Sequence, residues 1–292
     1  EESESMIEKV KHHWEVLKYS AILAFKRECE YSSYLFCWMF MIPIEIFSGF
    51  YMLKVIMDRV GELNGWTFGQ VAFLYGVGVF SHGFQDLFFI QTRWIESDVL
   101  EGGYDRMLVR PLGVFFQFCV GTVNLCGLFT LIPGIIIFIY GCIAVEFQWT
   151  LVNVIMLLLV VIGGTMIQAA IYTLTGSVAF WTKKSQVLVG VNLQLFDKTT
   201  QWPMTIYPKW FIGVFSFLIP MGFVSFYPAC GLLGIDSGIE FPFVNLLPGG
   251  ADSFPLPLEM AVWTPIVGGL WFLLAVKVFQ FGLRTKYESA GS

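Results

Sequence analysis

Six long runs of mostly apolar residues, at about 32–53, 68–90, 114–140, 151–181, 211–233 and 260–283, constrain this chain more than any other feature. About 20 such residues carry an α-helix across the hydrocarbon core of a bilayer. A helix satisfies its own backbone there, so it is the form the runs should take. Composition supports this. Charged residues make up 13% of the chain, against roughly 25% in a soluble domain, so much of the surface must face something other than water. The expected fold class is an all-α integral membrane protein with six transmembrane helices. No internal repeat is visible, and residues 1–292 read as one transmembrane domain. The fourth run is long enough to tilt or project. The fifth holds Pro220 and Pro228, which predict a kink or break.

The cations are distributed unevenly. On one side of the predicted topology lie Lys9, Lys11, Lys18, Lys26, Arg27, Arg93, Arg106, Arg110, Lys183, Lys184, Lys198, Lys209, Arg284 and Lys286. The other side holds Lys54 and Arg59, and Lys277 falls within the last run. Cationic loops stay in the cytoplasm, which places both termini there, in a cell inner (plasma) membrane. Met6 is a plausible start. The flanks 1–5 and 289–292 are set aside, and the charged leader is too long and too acidic for a cleavable signal peptide.

Four segments do not read as spans. In 6–28, Ile7, Val10, Trp14, Leu17, Ala21 and Ala24 form one apolar stripe with lysines on other faces. That pattern predicts an amphipathic helix lying in the membrane interface against lipid. Segment 92–112 is a polar cytoplasmic loop with charges of both signs, turned at Gly102-Gly103 and closed by Pro111. Segment 182–209 suggests a short interfacial helix. Asn192, Gln194, Asp197, Lys198 and Gln201 make it too polar to span. Segment 234–259 is an apolar, Gly/Pro-rich outer loop suited to dipping back into the bilayer where protein covers its backbone.

Several chemistries are excluded. No phosphate-binding G-x-x-x-x-G-K-[ST] occurs, so this chain does not hydrolyse ATP through a P-loop. Neither H-E-x-x-H nor G-x-S-x-G is present. Six cysteines, without a C-x-x-C or a Cys/His cluster, read as small apolar residues rather than a disulfide or zinc framework. A net charge of −5 gives no footing for nucleic acid. No enzyme, cofactor or metal site is expected. The informative residues are ionisable or polar groups at membrane depth, where a charge costs about 3 kcal/mol or more. They are Glu45 after Pro43, His82 and Asp86 one turn apart, Gln168 and Lys277. Glu45, His82 and Gln168 could line a substrate path. They could equally be internal pairs that fix packing, such as Asp86 with Lys277. His82 and Asp86 lack a third metal ligand.

The loop Leu100-Glu101-Gly102-Gly103-Tyr104-Asp105-Arg106-Met107-Leu108-Val109-Arg110-Pro111-Leu112 resembles a loop of type-2 ABC (ATP-binding cassette) transporter permeases. Phe180-Trp181, Tyr207-Pro208, Ile219-Pro220 and Tyr227-Pro228-Ala229 resemble further elements of that family, in the same order. Tyr104 departs from the family's usual polar or small residue. The resemblance implies an exporter subunit that pairs with a second permease chain, identical or related. Two cytosolic ATP-binding subunits would supply hydrolysis. The loop with Glu101, Gly102, Asp105, Arg106 and Arg110 would be the coupling helix that receives their motion. Segment 6–28 would be the connecting helix, and 234–259 the outer re-entrant element. A bare lipid anchor would favour bases alone, whereas this loop mixes acids with them. The alternatives are a secondary transporter, which would be expected to show repeats or several buried charges, and a membrane-embedded enzyme, which would need convergent reactive groups.

Overall fold

The computed structural model describes residues 32–110, 112–120, 124–235 and 256–287, with helical positions at Glu15, Lys18, Tyr19, Ile22, Leu23 and Lys26. Most of the amphipathic segment 6–28, Pro111, and positions 236–255 of the outer segment 234–259 lie outside the described residues. Within them the chain is helical and contains no strand. The longer helices are α1 (Ser32–Val60) and α2 (Phe68–Phe89). A 3-10 turn, Ile90–Trp94, leads to the short α3 (Ile95–Leu100), α4 (Asp105–Leu108) and α5 (Val114–Val120). Then come α6 (Cys126–Ala144), α7 (Leu151–Ser177), α8 (Ala179–Thr182), α9 (Gln186–Gln201), α10 (Lys209–Gly213), α11 (Phe226–Leu233) and α12 (Leu256–Thr285).

Four stretches among the described residues are long and apolar enough to cross a membrane: Leu35–Val60, Cys126–Ala144, Leu151–Thr182 and Ala261–Thr285. A fifth arises if the bent pair Lys209–Leu218 and Met221–Leu233 is one span. The expected run 114–140 is divided. Asn124 accepts the Cys126 N–H at 2.7 Å and donates its own N–H to the Leu87 carbonyl. It thus satisfies a donor at the start of α6, so that helix begins there.

Helix α2 is long enough to cross but carries Gln70, His82, Gln85 and Asp86, which its neighbours must satisfy. It lies antiparallel against α6 along two glycine rows, Gly69/Gly76/Gly83 and Gly127/Gly134/Gly141. A seven-residue repeat keeps each row on one stripe. A Cβ at Gly141 would stand 2.5 Å from the Phe73 nitrogen, and one at Gly76 would stand 2.5 Å from the Phe138 Cα. With no side chain between them, the backbones touch. That is how membrane helices gain dispersion energy where lipid removes the hydrophobic driving force.

Segment 182–209 contains the short helix that the sequence suggests. Its helix α9 starts at the Arg93 end of the bundle, where the Ser185 and Gln186 N–H groups meet the Glu96 carboxylate. It ends beside Gly78 at the middle of α2, where Thr200 packs and Gln201 Nε2 donates to the Gly49 carbonyl at 3.0 Å. The chain then reaches the opposite end, where Asn64 Nδ2 donates to the Thr205 carbonyl at 2.9 Å. Sixteen helical residues cover about 24 Å. Part of its polarity is satisfied inside the bundle: Asn192 Nδ2 donates to Thr175 Oγ1 at 2.9 Å, and the Thr199 and Thr200 hydroxyls donate to the Phe196 carbonyl, while Gln194, Asp197 and Lys198 are exposed.

The expected fifth run at 211–233 is broken, as Pro220 and Pro228 predict. Its two arms bend by 78°. The first passes through a π-helical turn, Val214–Leu218, and Pro220 breaks the chain before Met221–Phe223. The Val224 carbonyl sits 3.4 Å from where a Gly164 Cβ would be, next to Ser81, while Phe226 packs on Trp66. The bend therefore lies beside the middle of α2 and α7, and α11 begins against Trp66.

Candidate functional site

Beyond α2 the chain turns sharply, and α3 and α4 form a compact cap at the Arg93 end. Gly102 sits at φ +70, a left-handed conformation that glycine adopts without steric cost. Gly103 N–H donates to the Asp98 carbonyl at 2.8 Å, and Gln91 Nε2 donates to Asp98 Oδ2 at 2.9 Å. Burial raises the Asp98 carboxyl above its ordinary range, while the Gln91 bond pulls the other way. Tyr104, the departure from the family pattern, is fully buried among Phe118, Phe180, Phe279 and Tyr287, with ring centroids 5.5–5.9 Å away. Each such aromatic pair adds about 0.5–1.5 kcal/mol beyond its area. The cap is thereby fixed to α5, α8 and the end of α12. Tyr287 Oη also donates to Asp105 Oδ1 at 2.9 Å. Burial and that bond push the Tyr287 hydroxyl up to about 12. Glu101, Arg106 and Arg110 are exposed on the outer surface of the cap beside Leu108 and Val109, the latter 84% exposed.

A second constellation lies between α2, α7 and α9. Arg93 Nη2 donates to Asp86 Oδ1 and to Gln85 Oε1. Its guanidinium lies 4.6 Å over the Tyr172 ring. Asp86 Oδ2 accepts from Thr130 Oγ1 at 3.3 Å. Arg93 Nη2 also faces His82 Nε2 at 3.3 Å. Nε2 also lies 3.7 Å from Asp86 Oδ2, and the other ring nitrogen, Nδ1, lies 2.7 Å from Gln168 Oε1. Phe196 of α9 stacks on the His82 ring at 4.6 Å. Gln168, 1% exposed, leaves Nε2 unpartnered.

A family model described as "ABC-2 family transporter protein" matches residues 43–291. The chain belongs to that family. It is accordingly a multi-pass membrane protein and the permease component of an ABC transporter, a family that works with ATP-binding subunits. No curated protein and no solved structure matches the permease.

Of the sequence-predicted residues, the structure joins His82 and Gln168 in one hydrogen bond. It leaves Glu45 apart, on an exposed face of α1 within electrostatic reach of Asp197 and Tyr75. The suggested Asp86–Lys277 pair does not form. Asp86 pairs with Arg93, and Lys277 is exposed on α12. In the sequence Arg93 counts only as a cytoplasmic cation. Its position seven residues after Asp86, two helical turns along the same side, was the available signal. Tyr172, Phe196 and Glu96 carried none, because their partners are distant in sequence.

Proposed function

We propose that the permease crosses the membrane six times, through α1, α2, α6, α7, α9 and α12, with the Arg93 end and both termini in the cytoplasm. The bent pair α10 and α11 is a re-entrant element that enters from the outer face. The remaining cations support this side assignment: Arg93, Arg106, Arg110, Lys183, Lys184, Arg284 and Lys286 cluster at one end. Cysteines replacing Thr205 and Asn64 are both expected to react with an impermeant maleimide from outside in intact cells. Labelling of position 205 only after the cells are opened would refute the α9 crossing.

The chain acts as an exporter subunit. Two cytosolic ATP-binding subunits dock on its cytoplasmic cap, and a second permease chain, identical or related, completes the path. Export is the usual direction of the permeases this chain resembles. Glu45, His82 and Gln168 contribute to the substrate path, and the second chain covers the exposed Glu45 face of α1, where lipid alone would leave a costly carboxylate. The observation that carries the coupling role is the cap: charged and apolar groups exposed on a surface braced from behind by Tyr104. A soluble motor needs such a rigid, polar grip, and truncating one partner of a charged contact costs about 2–5 kcal/mol. Asp105→Ala and Arg110→Ala are expected to weaken ATPase-subunit pull-down at least about tenfold, or to cut transport per ATP, with membrane insertion intact. Wild-type values for both variants in both assays would remove the cap from the coupling role.

A further inference from the structure

Helix α9 begins without the usual local help. Its N-terminal residue Ser185 makes no side-chain cap, and its first turn holds no acidic residue. A helix start leaves four N–H groups without intrahelical partners and carries a partial positive charge. Here the acceptor comes from another element. Glu96 of α3 places one oxygen, Oε2, on both the Ser185 and Gln186 N–H groups, the second at 2.5 Å. Those bonds, the Ser185 one foremost, hold the Glu96 carboxyl below its usual range, so it is charged at neutral pH. Charge-assisted bonds of this type are roughly twice as strong as neutral ones.

Glu96 is well placed mechanically. Helix α3 is joined to α4 through the Gly102–Gly103 turn, which Asp98 closes. Displacement of the cap therefore moves Glu96 with it. On the other side, α8 and α9 are separated by only Lys183, Lys184 and Ser185, with Lys183 in a left-handed turn at φ 55. A pull on the α9 start is not absorbed by a long linker. Helix α9 then carries Phe196 against His82, and Gln201 against Gly49 of α1.

We propose that Glu96 is a positioning residue for transport: its carboxylate ties the cytoplasmic cap to the start of α9, so that movement of the cap shifts α9 against α1 and α2. This inference rests on the permease reading above. It differs from simple helix capping, in which any acid at the α9 start would serve equally well.

The test uses the complete complex of permease and ATP-binding subunits, reconstituted in liposomes. Glu96→Ala is expected to keep ATPase docking and hydrolysis within about twofold of wild type, while transport per ATP falls at least about tenfold. Glu96→Gln, which retains an acceptor oxygen, is expected to recover part of the loss and covers the case in which the alanine variant does not fold. The double variant Glu96→Ala/Ser185→Asp supplies a local cap without the tether. It is expected to restore slow exchange of the Gln186 amide but not transport per ATP. Recovery of transport in that double variant, or full stoichiometry in Glu96→Ala, would overturn the tether alone. If wild-type permease bound no ATP-binding subunit at all, the permease reading would fall and the tether with it.

Discussion

Gly141→Ala is expected to destabilise the permease, although alanine is the better helix former. In an exposed helix the substitution would gain about 1 kcal/mol. At Gly141 the new methyl would stand 2.5 Å from the Phe73 nitrogen and 2.6 Å from its Cα. These are backbone atoms, with no side-chain end to swing away, so α2 and α6 must part along their length. Forcing one extra carbon into a packed interior costs about 1–3 kcal/mol, and backbone contact places this case at the upper end. Gly141→Leu is expected to leave no folded protein. Gly190 provides the internal control, since a Cβ there meets nothing within 4 Å. Gly190→Ala is expected to keep or raise the thermal midpoint in detergent, read by size-exclusion fluorescence, while Gly141→Ala lowers it. Equal midpoints for the two variants would show that the glycine rows do not hold α2 to α6.

Those rows were written plainly in the sequence as glycines seven apart in two predicted spans. Apolarity drew attention first, and it measures what lipid tolerates, not how helices meet. The same bias bears on two further segments. Hydropathy treats each side chain of α9 as though it faced lipid, whereas Asn192, Thr199 and Thr200 find partners within the bundle. The bent segment at 209–233 reads as a span because both of its arms are apolar. Only Pro220 and the Tyr227-Pro228 pair hinted at a break, and a break does not say whether the chain continues across or turns back. The cap was legible because its turn chemistry is local: Gly102 bends, and charges face outward. Tyr104 could be read only as a departure, since the rings that enclose it come from 118, 180, 279 and 287.

The polar cluster yields the second large effect. Asp86 is 7% exposed, and its carboxylate depends on Arg93, with Thr130 as the lesser partner. Arg93→Ala leaves that charge buried with only His82, 3.7 Å away, and Thr130 beside it, a loss of about 3–5 kcal/mol. Asp86→Ala strands the guanidinium in the same way. Removing both charges is a different case. Apolar groups of similar volume in place of a buried ion pair are often neutral or stabilising, so Asp86→Leu/Arg93→Met is expected to regain most of the stability that either single change removes. The measurement is a thermal midpoint for each single variant and the pair, completed as a double-mutant cycle. A stable Arg93→Ala would mean that Asp86 has another partner and that the pair is incidental. The double variant also separates the two roles left open for these residues. If it is stable and transports normally, the pair only fixes the packing of α2. If it is stable and transport is lost, the charges act in the path itself, and His82 and Gln168, joined to Arg93 through one hydrogen-bonded chain, act with them.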